Sequence, residues 1–184
     1  MDQFGIKIEA EDPSGAAMRK KKTALSGRER EKDFLLPGFV ESSPIPAFVI
    51  GSNHLVTHWN RALEALSGIA ASDVIGTDQH WRAFYSTQRP CMADILVDGS
   101  VGKLRKWYRN KYRKSTLIED AYEATDFFPD LEGGGRWLRF TAALIRDTEG
   151  KPAGAVETLE DITERKLAED ALRESEQRLF SVID

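Results

Sequence analysis

The sequence predicts an α+β domain in which one antiparallel sheet of about five strands carries helices on one face. Two short apolar runs, at 47–50 and 55–59, are separated only by a turn at Gly51-Ser52-Asn53, as in a hairpin. Three more candidate strands follow late in the chain, at 119–128, 136–146 and 153–160. Their connections are too short for parallel crossovers, so these strands should be antiparallel neighbours. The residues between the two groups show helical patterns, which places the helices together.

The composition excludes several classes of protein. A chain of 184 residues with 41% hydrophobic positions holds one core with extensions, and its net charge of −4 does not favour nucleic acid as a partner. A single cysteine, Cys91, excludes an internal disulfide framework and a cysteine-rich zinc site. No apolar run approaches the length of a membrane span, and the N-terminus lacks the apolar core of a signal peptide. We therefore expect a soluble, cytoplasmic chain.

The chain is expected to begin with a charged tail at residues 1–33, disordered and then helical near Arg28. Its basic run, Arg19-Lys20-Lys21-Lys22, is interpreted as solvated rather than as a contact with a membrane or nucleic acid. The folded part should start near Phe34, and an apolar cluster there is typical of one face of a short helix. That cluster consists of Phe34, Leu35, Leu36, Phe39 and Val40.

Two short helices are predicted after the hairpin. Asn60 is a good N-cap, because its side chain accepts from free backbone amides. The next apolar residues fall on one helical face: Ala62, Ala65, Leu66 and Ile69. Gly68 should end this helix early, and 72–76 should form a capped single turn that stops at Gly76.

A longer helix is predicted over 101–116, and its 103–114 section is strongly basic with interleaved aromatic residues. The basic residues are Lys103, Arg105, Lys106, Arg109, Lys111, Arg113 and Lys114, and the aromatic ones are Trp107, Tyr108 and Tyr112. Such a helix can bind nucleic acid. An acidic stretch from Glu119 to Glu132 follows directly, so we favour a solvated helix partly paired with that strand.

The order of these elements, with particular residues, resembles the PAS sensory domain family. Four segments carry the resemblance over about 41–166: Glu41 to Ile50, Leu55 to Ala62, Ser72 to Gly76, and Asp161-Ile162-Thr163-Glu164-Arg165-Lys166. The resemblance implies a five-stranded antiparallel sheet with helices on one face and helical extensions at both ends. We accordingly expect a sensor domain at 34–163 and a signalling helix at 164–184.

The resemblance also implies a ligand pocket between the sheet and the helices. The candidate lining residues are His58, Phe84, Tyr85, Arg89, Ile95, Leu104, Phe127, Phe140, Ala142 and Val156. Core packing is the alternative for each, since inward apolar residues are core by default. The stretch from Trp81 to Cys91 departs from common PAS sequences. In it, Tyr85 and Arg89 would share a face on a helical turn, and Arg89 would pair with Asp94 or, less favoured, with a ligand carboxylate.

The sequence argues against most cofactors of this family. Flavin adducts need a cysteine in an Asn-Cys-Arg type motif, and Cys91 lies in Arg89-Pro90-Cys91-Met92 instead. Haem-binding members usually supply a histidine from the long helix, and 101–116 contains none. The three histidines, His54, His58 and His80, leave haem as a less favoured alternative and show no helical metal spacing, so we predict no metal site.

No enzymatic activity is predicted. Gly133-Gly134-Gly135 is followed by a strand and lacks the Gly-Lys-Ser/Thr of a phosphate loop. No nucleophile and base can be paired from the sequence.

The C-terminal residues predict a relay and a dimer. The exit motif Asp161-Ile162-Thr163 should pass a conformational change from the sheet into the last helix, with Asp161 or Thr163 as its cap. The a/d pattern of a coiled coil follows at Ala168, Leu172, Ser175, Leu179 and Val182. A homodimer through the terminal helices is expected, responding to an unknown small molecule or partner. The alternative is a PAS module with a filled core that only dimerises or spaces its neighbours.

Residues 175–184 resemble the helical start of a further PAS-type domain. The resemblance therefore implies a longer signalling protein of the two-component class, with an output such as a histidine kinase or a diguanylate cyclase outside this sequence.

Overall fold

A computed structural model describes residues 38–131 and 134–181. The predictions made for the tail at 1–33, for Phe34, Leu35 and Leu36, and for Val182 lie outside these residues. The compact unit discussed below begins at Val40.

One antiparallel sheet of six strands, rather than the predicted five, forms the centre of this unit. The strands are Ala47–Gly51 (β1), Val56–Trp59 (β2), Tyr112–Lys114 (β3), Ala121–Phe128 (β4), Arg136–Arg146 (β5) and Pro152–Asp161 (β6). Their spatial order is β2-β1-β6-β5-β4-β3, which confirms the predicted hairpins and the α+β fold class. β6 and β1 are far apart in sequence but lie side by side at the centre.

Within residues 38–131 and 134–181, residues 38–41 are helical, and five further α-helices have both ends described. They are Arg61–Ser67 (α1), Ala71–Val74 (α2), Met92–Val97 (α3), Gly102–Tyr108 (α4) and Thr163–Ser181 (α5). Two 3₁₀ turns, Gln79–Ala83 and Arg109–Lys111, lie between them. The side chains of the core lie between the sheet and α1 to α4, and α5 leaves the sheet at the end of β6.

The predicted helix at 101–116 is wrong in its second half. The helix stops at Tyr108, and residues 112–114 form the edge strand β3, where Tyr112 pairs with Ala124. Cross-strand ion pairs stabilise this arrangement, since Arg113 Nε lies 2.6 Å from Glu123 Oε1 and Lys111 Nζ lies 2.5 Å from Asp126 Oδ1. The expected pairing of basic residues with the acidic strand is thus confirmed, although a strand rather than a helix presents part of it.

Asn60 anchors the first hairpin to α1, as the N-cap prediction required. Its Oδ1 accepts from the amides of Leu63 and Ala47, both at 3.0 Å. Its Nδ2 donates to the carbonyls of Ile45 at 2.8 Å and Val40 at 3.2 Å. The side chain is fully buried, so these bonds satisfy an amide that would otherwise be costly to bury.

The helix boundaries after Asn60 follow the sequence with one exception. Gly68 ends α1 in the left-handed conformation, with φ of 71°, as predicted. The turn at 72–76 does stop at Gly76, but Ser72 does not cap it. The N-cap is Ala70, and the free amide of Ala71 is satisfied by Glu64 Oε1 of α1 at 2.6 Å.

A bulge in β2 decides which of its residues face the core. Phe48 pairs with Trp59 and Val49 with His58, but Ile50 pairs with Val56, so Thr57 is the extra residue. A bulge shifts the alternation of side chains by one position. Val56 and Trp59 therefore both face the core, and His58 lies on the opposite face beside Val49.

Candidate functional site

The interior between the sheet and the helices contains a group of ionisable side chains. We define the interior polar cluster as His80, Cys91, Asp94 and Glu157, all of which are buried. His80 comes from a 3₁₀ turn, Cys91 and Asp94 from the start of α3, and Glu157 from the centre of β6. Three elements of the chain thus meet at this point.

Asp94 organises the helix side of the cluster. Its Oδ2 lies 2.8 Å from His80 Nε2 and accepts from the Cys91 amide at 2.8 Å, while Oδ1 lies 2.9 Å from His54 Nδ1. Burial would raise the pKa of Asp94, but the bonds from His80, His54 and the Cys91 amide hold it below its ordinary value. Asp94 is therefore an ionised carboxylate inside the protein.

Glu157 has a different environment from Asp94. Its Oε2 accepts from the Ala93 amide at 2.9 Å, at the N-terminus of α3. Burial raises the pKa of Glu157 to about 7, because this amide and the nearby His80 offset only part of the desolvation and Asp94 adds repulsion. The interior thus holds two carboxyl groups whose pKa values are shifted in opposite directions, and the pKa of Glu157 lies close to 7.

A metal ion would use atoms of this same cluster. One ligand atom each from His80, Cys91 and Asp94 lie within 4.8 Å of one another. However, Asp94 Oδ2 already serves His80 and the Cys91 amide, and burial followed by the charges of Glu157 and Asp94 raises the pKa of the Cys91 thiol. A protonated thiol is a poor metal ligand, so the geometry favours a hydrogen-bond network.

Arg89 lies beside this cluster, surrounded by aromatic rings. We define the arginine box as Arg89 with Tyr85, Trp107 and Tyr108. The guanidinium carbon lies 4.0 Å from the ring centroid of Tyr85, 4.8 Å from that of Trp107 and 5.3 Å from that of Tyr108. The predicted neighbourhood of Tyr85 and Arg89 is confirmed, although an irregular segment and not a helical turn brings them together.

The favoured pairing of Arg89 with Asp94 is wrong. Asp94 is occupied by His80, His54 and the Cys91 amide, and no ion pair to Arg89 is found within residues 38–131 and 134–181. The bond that Arg89 makes runs from a terminal nitrogen to the Trp107 carbonyl at 3.5 Å, and its buried Nε has no hydrogen-bond partner. Arg89 is a half-buried cation stabilised by ring faces.

A surface cleft of about 280 Å³ reaches one wall of the arginine box. It is lined by Ser67, Arg82, Ala83, Phe84, Tyr85, Ser86, Phe128, Asp130 and Leu131. Tyr85 belongs both to this cleft and to the box. The cleft is large enough for a small organic molecule with an apolar body.

Seven of the ten predicted lining residues lie on the helix side of the sheet. Phe84 and Tyr85 reach the cleft, Arg89 forms the box, and the others are buried core residues. Those others are Ile95, Leu104, Phe140 and Ala142.

The remaining three predicted lining residues lie on the outer face. The bulge in β2 turns His58 outward, Val156 pairs with the outward Val49, and Phe127 stacks on Trp137 with ring centroids 5.5 Å apart. Alternation along a strand does not reveal which face is covered when both faces carry apolar groups.

Sequence reasoning missed Glu157 as a site residue, although a signal for it exists. Ala155, Glu157 and Leu159 occupy alternate positions of one strand, so the acid shares a face with two apolar residues. Such a carboxyl is buried wherever its neighbours are. His80 and Asp94 had no comparable local signal, since 14 residues separate them.

The exit junction joins the sheet to the last helix. We define it as Trp137, Asp161, Ile162 and Thr163. Asp161 Oδ1 accepts from the amide of Thr163 at 3.0 Å and from its hydroxyl at 2.6 Å, and Thr163 Oγ1 accepts from the Trp137 amide at 2.9 Å. The Ile162 amide donates to the Trp137 carbonyl at 2.9 Å, and the Ile162 side chain is buried.

Arg136 adds an ion pair to the exit junction, with 2.6 Å between its terminal nitrogen and Asp161 Oδ2. Partial burial would raise the pKa of Asp161, but the bonds from Thr163 and Arg136 hold it below its ordinary value. The start of α5 is therefore fixed to β5 and β6 by side chain and backbone together.

Helix α5 is exposed along its described length beyond Lys166. Three leucines on it, Leu167, Leu172 and Leu179, are each more than 60% exposed. Within the described residues, no helix is both long enough and apolar enough to span a bilayer.

Comparison with known proteins agrees with the fold. Residues 40–167 match the family model described as PAS fold, which is more than half of the chain. The two-component sensor PprA of Pseudomonas aeruginosa is 27% identical over 152 residues, which cover 81% of this chain but only 14% of that sensor.

Two solved structures are also similar. An RNA-binding light-oxygen-voltage receptor superimposes with a TM-score of 0.52 at 19% identity, over 78% of this chain and 38% of the receptor chain. The PAS domain of BvgS from Bordetella pertussis gives a TM-score of 0.49 at 16% identity, over 79% of this chain and 98% of the other. At 19% identity the likeness to the receptor shows the fold alone.

Proposed function

Since the chain belongs to the PAS-fold family, we propose that it is a non-catalytic sensory module of a signalling protein. It binds a small molecule on the helix side of the sheet, at the cleft and the arginine box. It then passes a conformational bias through the exit junction into α5. The output, a histidine kinase or a diguanylate cyclase, belongs to the longer protein of which PprA is a sensor-type relative.

The observation that carries this proposal is the position of β6. Glu157 of this strand belongs to the interior polar cluster, and Asp161, four residues later, holds the start of α5. Four residues of a strand span about 13 Å, so a shift at the interior has a short, rigid path to the helix. A ligand can act on the helix only through its differential affinity for two such positions.

Dimerisation through α5 is the second part of the proposal. Ala168, Leu172, Ser175 and Leu179 are exposed and follow the spacing of a coiled-coil seam. Analytical ultracentrifugation of the chain should give a dimer, and Leu172→Glu should give monomer. Arg173→Glu, on the next residue of α5, is the matched control and should leave the dimer intact. A wild-type monomer at high concentration would overturn this part.

The sensory part is tested on the purified chain. Native mass spectrometry with an absorption spectrum should detect a copurifying small molecule. Its removal should change amide hydrogen exchange at residues 163–181 in the wild type, and much less in Asp161→Ala, where the junction is broken. An identical exchange pattern with and without the bound molecule would overturn the relay.

A ligand-free spacer is the alternative function, and the aromatic packing of the interior favours it. Rings contact one another from Phe48 through Phe84 and Phe128 to Phe140, at centroid distances of 6.2, 6.0 and 6.0 Å. Such a core needs no ligand to be full. A dimer that carries no small molecule and binds none would support this alternative.

A further inference from the structure

We propose that Arg89 is the anion-binding residue of this site, and that its ligand is a small monocarboxylate with an apolar body. This rests on the proposed sensory function and names the chemical class that the site takes. Arg89 lies among aromatic rings beside an apolar cleft, and it has no carboxylate partner within residues 38–131 and 134–181.

The guanidinium of Arg89 has no carboxylate partner within the described residues. Its side chain is only partly exposed, its Nε is buried without a partner, and its terminal nitrogen reaches the Trp107 carbonyl at the limit of a hydrogen bond, 3.5 Å. Other arginines of the described chain, such as Arg113 and Arg146, lie within 2.7 Å of a carboxylate. A partly desolvated guanidinium with free donors matches the fork of a carboxylate.

An apolar surface lies next to the charge of Arg89. Tyr85 carries the guanidinium over its ring and also lines the cleft, where Phe84, Phe128 and Leu131 form the rest of an apolar wall. Tyr85 is the side chain that separates the cleft from Arg89. A molecule whose body fills the cleft can therefore reach Arg89 with its charged end beside Tyr85. Flat or narrow apolar bodies fit this wall best, because the ring faces leave a space of only about 280 Å³.

The charges of the cleft and the box favour a monocarboxylate over a doubly charged anion such as a phosphate. The cleft is lined by one acidic and one basic side chain, Asp130 and Arg82, and Arg89 is the one cation of the arginine box. A single guanidinium matches the fork of one carboxylate. A dianion would leave its second charge without a cation of the box.

The experiment compares carboxylates with their neutral amides. Benzoate, phenylacetate and octanoate are titrated by calorimetry against benzamide, phenylacetamide and octanamide. At least one carboxylate should bind the wild type about tenfold or more tighter than its amide, the expected scale for hydrogen bonds to a charged group. Arg89→Gln should lose this preference, and Arg89→Lys should keep part of it as a point charge without the fork.

Arg105→Gln is the matched control, since Arg105 is an exposed arginine of α4 that belongs neither to the cleft nor to the arginine box. It should bind as the wild type does. If Arg89→Gln does not fold, the Nε resonance of Arg89 in the wild type should shift with the carboxylate and not with the amide. Equal affinity for every acid and its amide, or an unchanged preference in Arg89→Gln, would overturn the proposal.

The outcomes separate this proposal from the sensory function. Arg89-dependent binding without any change in α5 would support the anion site and contradict the relay. A copurifying neutral molecule that binds Arg89→Gln as tightly as the wild type would support the sensor and contradict the role of Arg89.

Discussion

The amide of Trp137 on β5 donates to the hydroxyl of Thr163, the first residue of α5, over 2.9 Å. This bond joins two residues that are 26 positions apart and ties the helix to β5, which is not the strand directly before it. The same hydroxyl donates to Asp161 at 2.6 Å. Movement of the helix therefore requires a change at β5 as well as at the end of β6.

Replacing Thr163 by valine should loosen the start of α5. Valine keeps the shape but leaves the Trp137 amide and Asp161 without this hydroxyl, a loss of about 1 kcal/mol. Hydrogen exchange at residues 163–175 should become faster. Thr125→Val, on β4, should leave that exchange unchanged, and equal protection in both variants would contradict a role for the junction bond.

Glu157 should make the protein less stable as the pH rises from about 4.5 to 7. The unfolded carboxyl loses its proton near its ordinary pKa of 4.5, whereas burial raises the pKa in the folded state to about 7. Between these values the folded state holds more protons, so increasing pH favours unfolding. The span corresponds to about 3 kcal/mol.

Urea unfolding of wild type and Glu157→Gln across this pH range measures the effect. The free-energy difference between the two should shift by about that amount in favour of the glutamine variant at high pH. Thr158→Val, on the same strand, removes no ionisable group, so it is the control and should give a constant difference. A constant difference for Glu157→Gln as well would contradict the raised pKa.

Asn60→Ala should be among the most destabilising single substitutions of the hairpin region. It leaves the amide of Ala47 without a partner in the interior and removes the donor that lies 2.8 Å from the Ile45 carbonyl. The Leu63 amide loses its side-chain acceptor but keeps the backbone carbonyl of residue 60 at 2.9 Å. A buried unsatisfied group costs about 1–3 kcal/mol and a lost N-cap about 1 kcal/mol, so the total should be about 2–4 kcal/mol. Asn53→Ala, in an exposed turn, should cost much less in the same denaturation experiment.

Gly154→Ala should disturb the centre of the sheet. A Cβ atom at this position would overlap the Ile50 carbonyl oxygen, so β1 and β6 would have to separate. The expected loss of stability is about 2 kcal/mol or more. Gly102→Ala meets no atom within 4 Å and should leave the melting temperature unchanged or slightly higher. Equal melting temperatures would show that the strands adapt.

Local signals in the sequence predicted the fold well. The Asn60 cap, the Gly68 stop and the short connections between late strands each depend on residues close together in the chain. The strand β3 escaped prediction because its residues, Tyr112 to Lys114, continue a basic helical pattern. Only their register against Ala124 and Tyr122 of β4 makes them a strand.

The candidate site was less predictable, because its parts meet only in three dimensions. The PAS resemblance implied His58 as a lining residue of the pocket, but the bulge at Thr57 places His58 on the outer face of the sheet. Arg89 was expected to pair with an internal aspartate such as Asp94 rather than with a ligand carboxylate. In the folded chain, Asp94 instead hydrogen-bonds to two histidines, and the Arg89 guanidinium contacts three aromatic rings.

The two edges of the sheet have a consequence for how copies of this protein can associate. β3 has three residues, two of them the charged Arg113 and Lys114, and β2 has four with a bulge. Short, charged or kinked edges resist the addition of another chain as a further strand, which is the first step of amyloid-like aggregation. Both edge strands of the sheet therefore disfavour edge-to-edge pairing, so high protein concentration should not convert the folded chain into fibrils.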